Sequence, residues 1–340
     1  MKSRKLAITM AFFALGISLL AARQIATENV VSSAKAVAMS QPPPYWAYAV
    51  DPQIYTSTEA AIATATTPRR IPGSDAAFTL SQISDFFRPP DWHPADHPAM
   101  PKIVATGRAP DVFACGYCHL PNGQGRPENS SLAGLPFAYI VQQLADFKSG
   151  ARKSSEPKHK PTSAMIAFET KATQEEIRSA AEYFSKLTPQ PWVRVVETDT
   201  VPQTHVAGWM LVPIGSGEME PLGHRIIETP ESLERTELRD DRSGFIAYVP
   251  PGSLKKGEAL VETGRGKAAS CSTCHGLGLK GLGNVPGLAG RSPSYIVRQL
   301  YDLQSGARAG VAAQKMKPIV SNMTLDEMIA IAAYMASLRP

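Results

Sequence analysis

Cysteine is scarce in this chain, at four of 340 residues, which excludes a disulfide-built scaffold. An excess of one charge is also missing. Lysine and arginine total 35 against 30 acidic residues, and three of the cations (Lys2, Arg4 and Lys5) fall within the first five positions. A surface so nearly balanced carries no electrostatic footprint for nucleic acid. Long apolar runs are confined to the N-terminus, so a polytopic membrane protein is excluded as well. What remains is the composition of a soluble globular protein, 43% hydrophobic and 19% charged, with length enough for two or three compact domains. Proline is abundant, at 29 residues, and predicts long irregular connections.

Residues 1–22 join a basic start to an apolar run of 17 residues, Leu6–Ala22, before polar sequence resumes. This is the pattern of a secretory signal peptide and predicts export. The run is near the lower limit for spanning a bilayer, so an uncleaved leader would act as a membrane anchor through residues 6–22. Ala22 is the expected last leader residue, with Ala36 as the alternative.

All four cysteines belong to two copies of one motif, Cys115-Gly-Tyr-Cys118-His119 and Cys271-Ser-Thr-Cys274-His275. Two thiols three positions apart can each form a thioether to a haem vinyl group, and the adjacent histidine then falls under the iron as its proximal ligand. A redox dithiol would not need the histidine. A structural zinc site would bring its ligands together within one small fold, whereas 152 residues separate Cys118 from Cys271. The motifs therefore predict two covalently bound haem c groups, with Cys115, Cys118, Cys271 and Cys274 as attachment points and His119 and His275 as iron ligands.

The motifs sit inside a longer repeat. Leu132–Arg152 and Leu288–Arg308 share 13 of 21 residues at the offset of 156 that relates the cysteines. Further on the offset falls to 151, where Thr173–Leu187 matches Thr324–Leu338, so the first copy carries five extra residues before Met165. Each copy ends in a helical pattern opened by a threonine with an acid three residues later, Glu176 or Glu327, the signature of a capping box. Apolar residues follow at helical spacing: Ile177, Ala181, Phe184 and Leu187 in one copy, and Met328, Ala332, Met335 and Leu338 in the other. A mainly α fold is expected.

An iron that shuttles electrons without binding oxygen or peroxide needs a sixth ligand. Met165 and Met316 each lie eight residues before the final threonine cap, in what reads as a loop between two helices. A thioether there would stabilise ferrous iron and raise the potential. Met323 has Ala172 as its counterpart and reads as core. His159 is the competitor to Met165, in a position that its neighbours Lys158 and Lys160 suggest is solvated. His93, His97, His205 and His224 lie outside the repeats and read as surface or hydrogen-bonded histidines.

With CxxCH, an L-A-G stretch, Y-I-x-x-Q-L, S-G-x-R, a lone methionine and a final A-x-Y-x-x-x-L helix in each copy, the chain resembles class I cytochrome c. Its tandem arrangement is similar to the diheme cytochrome c-four group of bacterial periplasms. The resemblance covers about residues 100–190 and 252–340. It implies two tandem cytochrome c domains, haem bound by Cys115, Cys118, Cys271 and Cys274, and iron held by His119 with Met165 and by His275 with Met316. It also implies a periplasmic electron carrier working between protein donors and acceptors, rather than an enzyme. In that family a proline carbonyl often orients the proximal histidine; Pro286 matches, but the first copy has Ser130 there.

The resulting layout is a leader at 1–22, a Pro- and aromatic-rich extension at 23–98, a first domain at 99–190, a connector at 191–251 and a second domain at 252–340. The extension is expected to wrap a domain or dock a partner, and the connector to be ordered, with short strands and buried Trp192, Trp209 and Phe245. Neither segment carries a nucleophile triad, a phosphate loop or a metal cluster. A diheme peroxidase, or a cytochrome subunit docked on a dehydrogenase, is the alternative reading of the whole. A basic stretch, Lys148, Arg152, Lys153, Lys158 and Lys160, is expected either to steer an acidic partner toward the first haem or to be a solvated loop whose charges serve only solubility.

Overall fold

A computed structural model describes residues 42–50, 66–264 and 269–340; the leader expected at 1–22, the remainder of the extension up to 41, and residues 51–65 and 265–268 lie outside it. The final helix of each copy begins where its threonine predicts. Thr173 Oγ1 accepts from the Glu176 N–H while the Glu176 carboxylate accepts from Thr173 N–H, and Thr324 and Glu327 do the same. Each box thereby satisfies two of the donors that a helix start leaves without partners.

In the first copy the elements are α1 (Cys115–His119), α2 (Phe137–Lys148), α3 (Lys160–Lys171) and α4 (Gln174–Lys186). The α4 face of Ile177, Ala181 and Phe184 meets α2 around Ile140, with Ala133, Leu135 and Leu187 completing a buried core. In α3 the structure departs from expectation, since Met165 lies inside a 12-residue helix rather than in a loop.

The second copy contains α5 (Ser253–Thr263), α6 (Cys271–His275), α7 (Pro293–Ser305), α8 (Lys317–Val320) and α9 (Leu325–Ser337). Its core gathers Met328, Ile331, Ala332 and Met335 of α9 with Ile296 and Leu300 of α7 and, as expected, the buried Met323. Helices α5 and α9 cross so closely at Gly257 that a Cβ there would run into the Ala330 carbonyl.

Between the copies run seven short strands: β1 (Val193–Glu197), β2 (Thr200–Pro202), β3 (Thr204–Ala207), β4 (Met210–Pro213), β5 (Met219–Pro221), β6 (Ile227–Pro230) and β7 (Phe245–Val249). Strand β7 is central, parallel to β1 and antiparallel to β6, while β2 pairs with β5 and β3 with β4. Gly208 and Trp209 form the β3–β4 turn with positive φ at both positions, the backbone of a tight hairpin. Trp192 and Phe245 are buried as expected, but Trp209, at the turn, is only half-buried. Connector residues Val201, Leu222, Ile227 and Val249 join the second copy's core.

The described residues of the extension pack against the second core and the connector, and they contain helix that the prolines did not suggest. Tyr45–Tyr48 forms one helical turn after Pro44, burying Trp46, Ala47 and Tyr48 in the second core, with the Tyr48 hydroxyl donating to Asp302 Oδ1 at 2.8 Å. Trp92 is buried, donating to the Leu238 carbonyl at 2.7 Å, and His93 lies 3.1 Å from Asp240 Oδ1, so the extension is tied to the connector.

The two copies meet through the same residues in each. Lys153 N–H donates to the Ala307 carbonyl and Ala309 N–H to that of Ala151, both at 2.7 Å. Arg152 reaches across to Tyr295 and Gln299, and Arg308 to Tyr139 and Gln143. Each contact is repeated with the partners exchanged, as a two-fold axis would produce.

Candidate haem sites

Each CxxCH motif forms a single helical turn whose histidine is pinned from outside. His119 Nδ1 lies 2.8 Å from the Ser130 carbonyl, and His275 Nδ1 lies 2.8 Å from that of Pro286. A carbonyl only accepts, so Nδ1 carries the proton and Nε2 keeps its lone pair, as an iron ligand requires. The replacement of proline by Ser130 therefore costs nothing, because the acceptor is backbone. Burial lowers the pKa of both imidazoles and keeps them neutral. It also pushes the Cys115 thiol up to about 12, the opposite of the depressed value a redox dithiol needs.

In the first copy Cys115, Cys118 and His119 line a cavity of about 1300 Å³, counting its open mouth. One side is apolar, with Ile103, Leu135, Ile140 and Phe184. The other carries Tyr139, Arg152, Tyr295 and Arg298 at the joint between the copies. Among the described residues neither arginine forms an ion pair; Arg298 is 3% exposed and donates to the carbonyls of Ala47, Pro127 and Glu128. An apolar slot rimmed by one buried and one partly buried arginine matches a macrocycle with two carboxylates, and the residues present fit haem.

Both distal candidates line this cavity. Met165 is half-buried on α3. His159 is not solvated as its lysine neighbours suggested. It is 2% exposed, and burial, with the nearby Arg298 adding to it, holds its pKa down to about 2. Its Nδ1 lies 2.9 Å from Thr162 Oγ1, and its Nε2 is buried without a hydrogen-bond partner. Glu169, on the same wall, is pushed up to about 7 by burial.

In the second copy Cys271 and Met316 are partly buried against the core, His275 is 8% exposed and Cys274 is exposed. Gln304 Nε2 donates to the carbonyls of Val320 and Met323 at 2.6 and 2.8 Å, fixing the segment that follows Met316. Sequence reasoning missed the arginines at the joint. The signal was present in the identical S-G-A-R of both copies, but it was read only as alignment. Arg152 is consequently no free charge of the basic stretch, whereas Lys148, Lys153, Lys158 and Lys160 are exposed.

The family model described as Cytochrome c matches residues 254–339. The thiosulfate dehydrogenase electron acceptor of Thiomonas intermedia is 28% identical over 231 residues, 67% of this chain and 80% of that protein. Cytochrome c-554(548) of Halomonas halodenitrificans is 32% identical over 75 residues, 22% of this chain but 90% of that protein. A solved structure of thiosulfate dehydrogenase from Marichromatium purpuratum aligns at a TM-score of 0.48 and 25% identity, over 70% of this chain and 39% of that one. Two CxxCH turns, each with its histidine held for ligation, together with the family match and the likeness to the two cytochrome sequences, define an electron-transfer protein with two covalently bound haem c groups. The chain belongs to the cytochrome c family.

Proposed function

We propose that this protein is a periplasmic diheme cytochrome that takes electrons from a dehydrogenase and passes them to a further redox protein. Its two haem domains span 99–190 and 252–340, joined by the connector 191–251. Cys115 and Cys118 attach one haem, and Cys271 and Cys274 the other. His119 and His275 are the proximal ligands, Met316 is the distal ligand of the second haem, and Met165 and His159 are the two donors available opposite His119. The bound haem supplies the one-electron ferric–ferrous couple. The chain's own groups hold the imidazoles in the ligating tautomer, exclude water from the apolar slot and neutralise carboxylates at the joint.

The observation that carries this reading is the matched pair of Nδ1–carbonyl hydrogen bonds, at 2.8 Å in both copies. Export is supported by the 1–22 pattern; no helix among the described residues is long and apolar enough to cross a membrane. The exposed lysines Lys148, Lys153, Lys158 and Lys160 favour an acidic partner near the first haem. A dehydrogenase donor is favoured by the likeness to a thiosulfate dehydrogenase electron acceptor over 67% of this chain.

Mass spectrometry of the exported protein should show two haem additions per chain that survive acid-acetone extraction. One addition, or extractable haem, would refute the assignment. Mixing the ferric protein with a thiosulfate dehydrogenase and thiosulfate should reduce it within the enzyme's turnover time. Absence of reduction would reject that donor.

A further inference from the structure

We propose that His159, not Met165, is the distal ligand of the first haem, so that one chain carries a bis-histidine haem and a histidine–methionine haem. The proposal rests on the haem-site reading given above and assigns its one open position.

The two copies share a sequence pattern and a helix start at different residues, although the backbone is extended at His159 and helical at Met316. His159 is the N-cap of α3, and Met316 is the N-cap of α8. Each is preceded by lysine, Lys158 or Lys315, and followed by a Lys-Pro pair that opens the helix, Lys160-Pro161 or Lys317-Pro318. The segments read K-H-K-P and K-M-K-P. Aligned on that motif, the first copy has one residue fewer between Arg152 and His159 and six more between Pro161 and Thr173, where α3 has 12 residues and α8 has four. Met165 then has no equivalent, and His159 occupies the place of Met316.

The surroundings of His159 agree. It is 2% exposed although its neighbours Lys158 and Lys160 are exposed, and it lines the cavity together with Cys115, Cys118 and His119. The Tyr48 ring meets the imidazole edge-on at 5.8 Å and closes its outer side. Nδ1 lies 2.9 Å from Thr162 Oγ1, a hydroxyl that can accept its proton; in that tautomer Nε2 carries the lone pair, as it does in His119 and His275. A buried Nε2 without a hydrogen bond is costly unless another acceptor of its lone pair is present. Iron is that acceptor.

Replacing a thioether by an imidazole lowers the reduction potential, because methionine sulfur favours the ferrous state. The first haem is therefore the lower-potential centre, and an electron arriving there runs downhill to the second copy.

The test uses the ferric holoprotein with both haem additions verified by mass, so that loss of a haem reports on the site reading and not on the ligand. The far-red absorption of methionine-ligated ferric haem should have the intensity of one such centre per chain. Met316→Leu should abolish it, Met165→Leu should leave it unchanged, and His159→Met should double it. Low-temperature paramagnetic resonance of the unaltered protein should show one bis-imidazole and one histidine–methionine low-spin species, a readout that needs no variant to fold. Two histidine–methionine species, or a band halved by Met165→Leu and unmoved by His159→Met, would overturn the proposal.

Discussion

Gln143→Leu should destabilise the protein more than Arg308→Met does, although the second change removes a charge and more atoms. Gln143 Oε1 accepts from Arg152 Nη1 at 3.0 Å and from Arg308 Nη2 at 2.7 Å, so one buried amide oxygen serves two cations. Gln299 Oε1 serves the same two at 3.0 and 3.1 Å. A hydrogen bond to a charged group contributes about 1.5–3 kcal/mol, so loss of both at Gln143 amounts to about 4 kcal/mol, with each guanidinium keeping only Gln299 and a tyrosine hydroxyl. Arg308→Met removes bonds to Gln143 and Gln299 and a long one to Tyr139, but each glutamine oxygen keeps Arg152 and the repulsion between two like charges disappears. We expect about 2 kcal/mol there. Guanidinium chloride unfolding of the ferric holoprotein at neutral pH, followed by circular dichroism, measures both. The double variant should cost less than the sum of the two, because the residues share one network. If Arg308→Met costs as much as Gln143→Leu, or the two add, the shared acceptor is not what holds the joint.

Two further outcomes follow from the packing at this joint and in the second copy. Burial opposes ionisation of Tyr295, but Arg152 and Arg308 outweigh it and bring the hydroxyl down from 10.0 to about 8. The folded state thus releases this proton before the unfolded chain does, so stability should rise between about pH 8 and 10, and Tyr295→Phe should flatten that rise in a pH series of unfolding curves. Gly257→Ala should cost about 2–3 kcal/mol in thermal unfolding, since its Cβ has no room beside the Ala330 carbonyl; an unchanged midpoint would mean that α5 and α9 separate easily.

What the residues disclosed in advance was whatever depends on near neighbours. The CxxCH turns, the Thr173 and Thr324 capping boxes and the buried α4 and α9 stripes are each set by contacts within a few positions. His159 was misjudged for the opposite reason. Its sequence neighbours are solvated lysines, and its burial comes from Tyr48, more than a hundred residues away, and from the second copy. The α3 helix was hidden because Lys160–Lys171 mixes polar and apolar residues with little periodicity, so packing rather than pattern makes it helical. The helical turn at Tyr45–Tyr48 escaped notice among prolines, although Pro44 stands just before its first residue, where proline does not obstruct a helix.

The exchange symmetry of the joint has a consequence for how such a protein arises. Ala151, Arg152 and Lys153 meet Ala307, Arg308 and Ala309 through hydrogen bonds that repeat when the copies are interchanged. A patch that complements itself about a two-fold axis is what an isologous homodimer possesses. A single ancestral unit bearing this patch would already have paired with its twin, placing two haems side by side before any gene fusion. Fusion then needed to supply no new adhesive surface. Covalent joining would leave the halves free to diverge, and the K-H-K-P and K-M-K-P segments differ in the way such freedom allows.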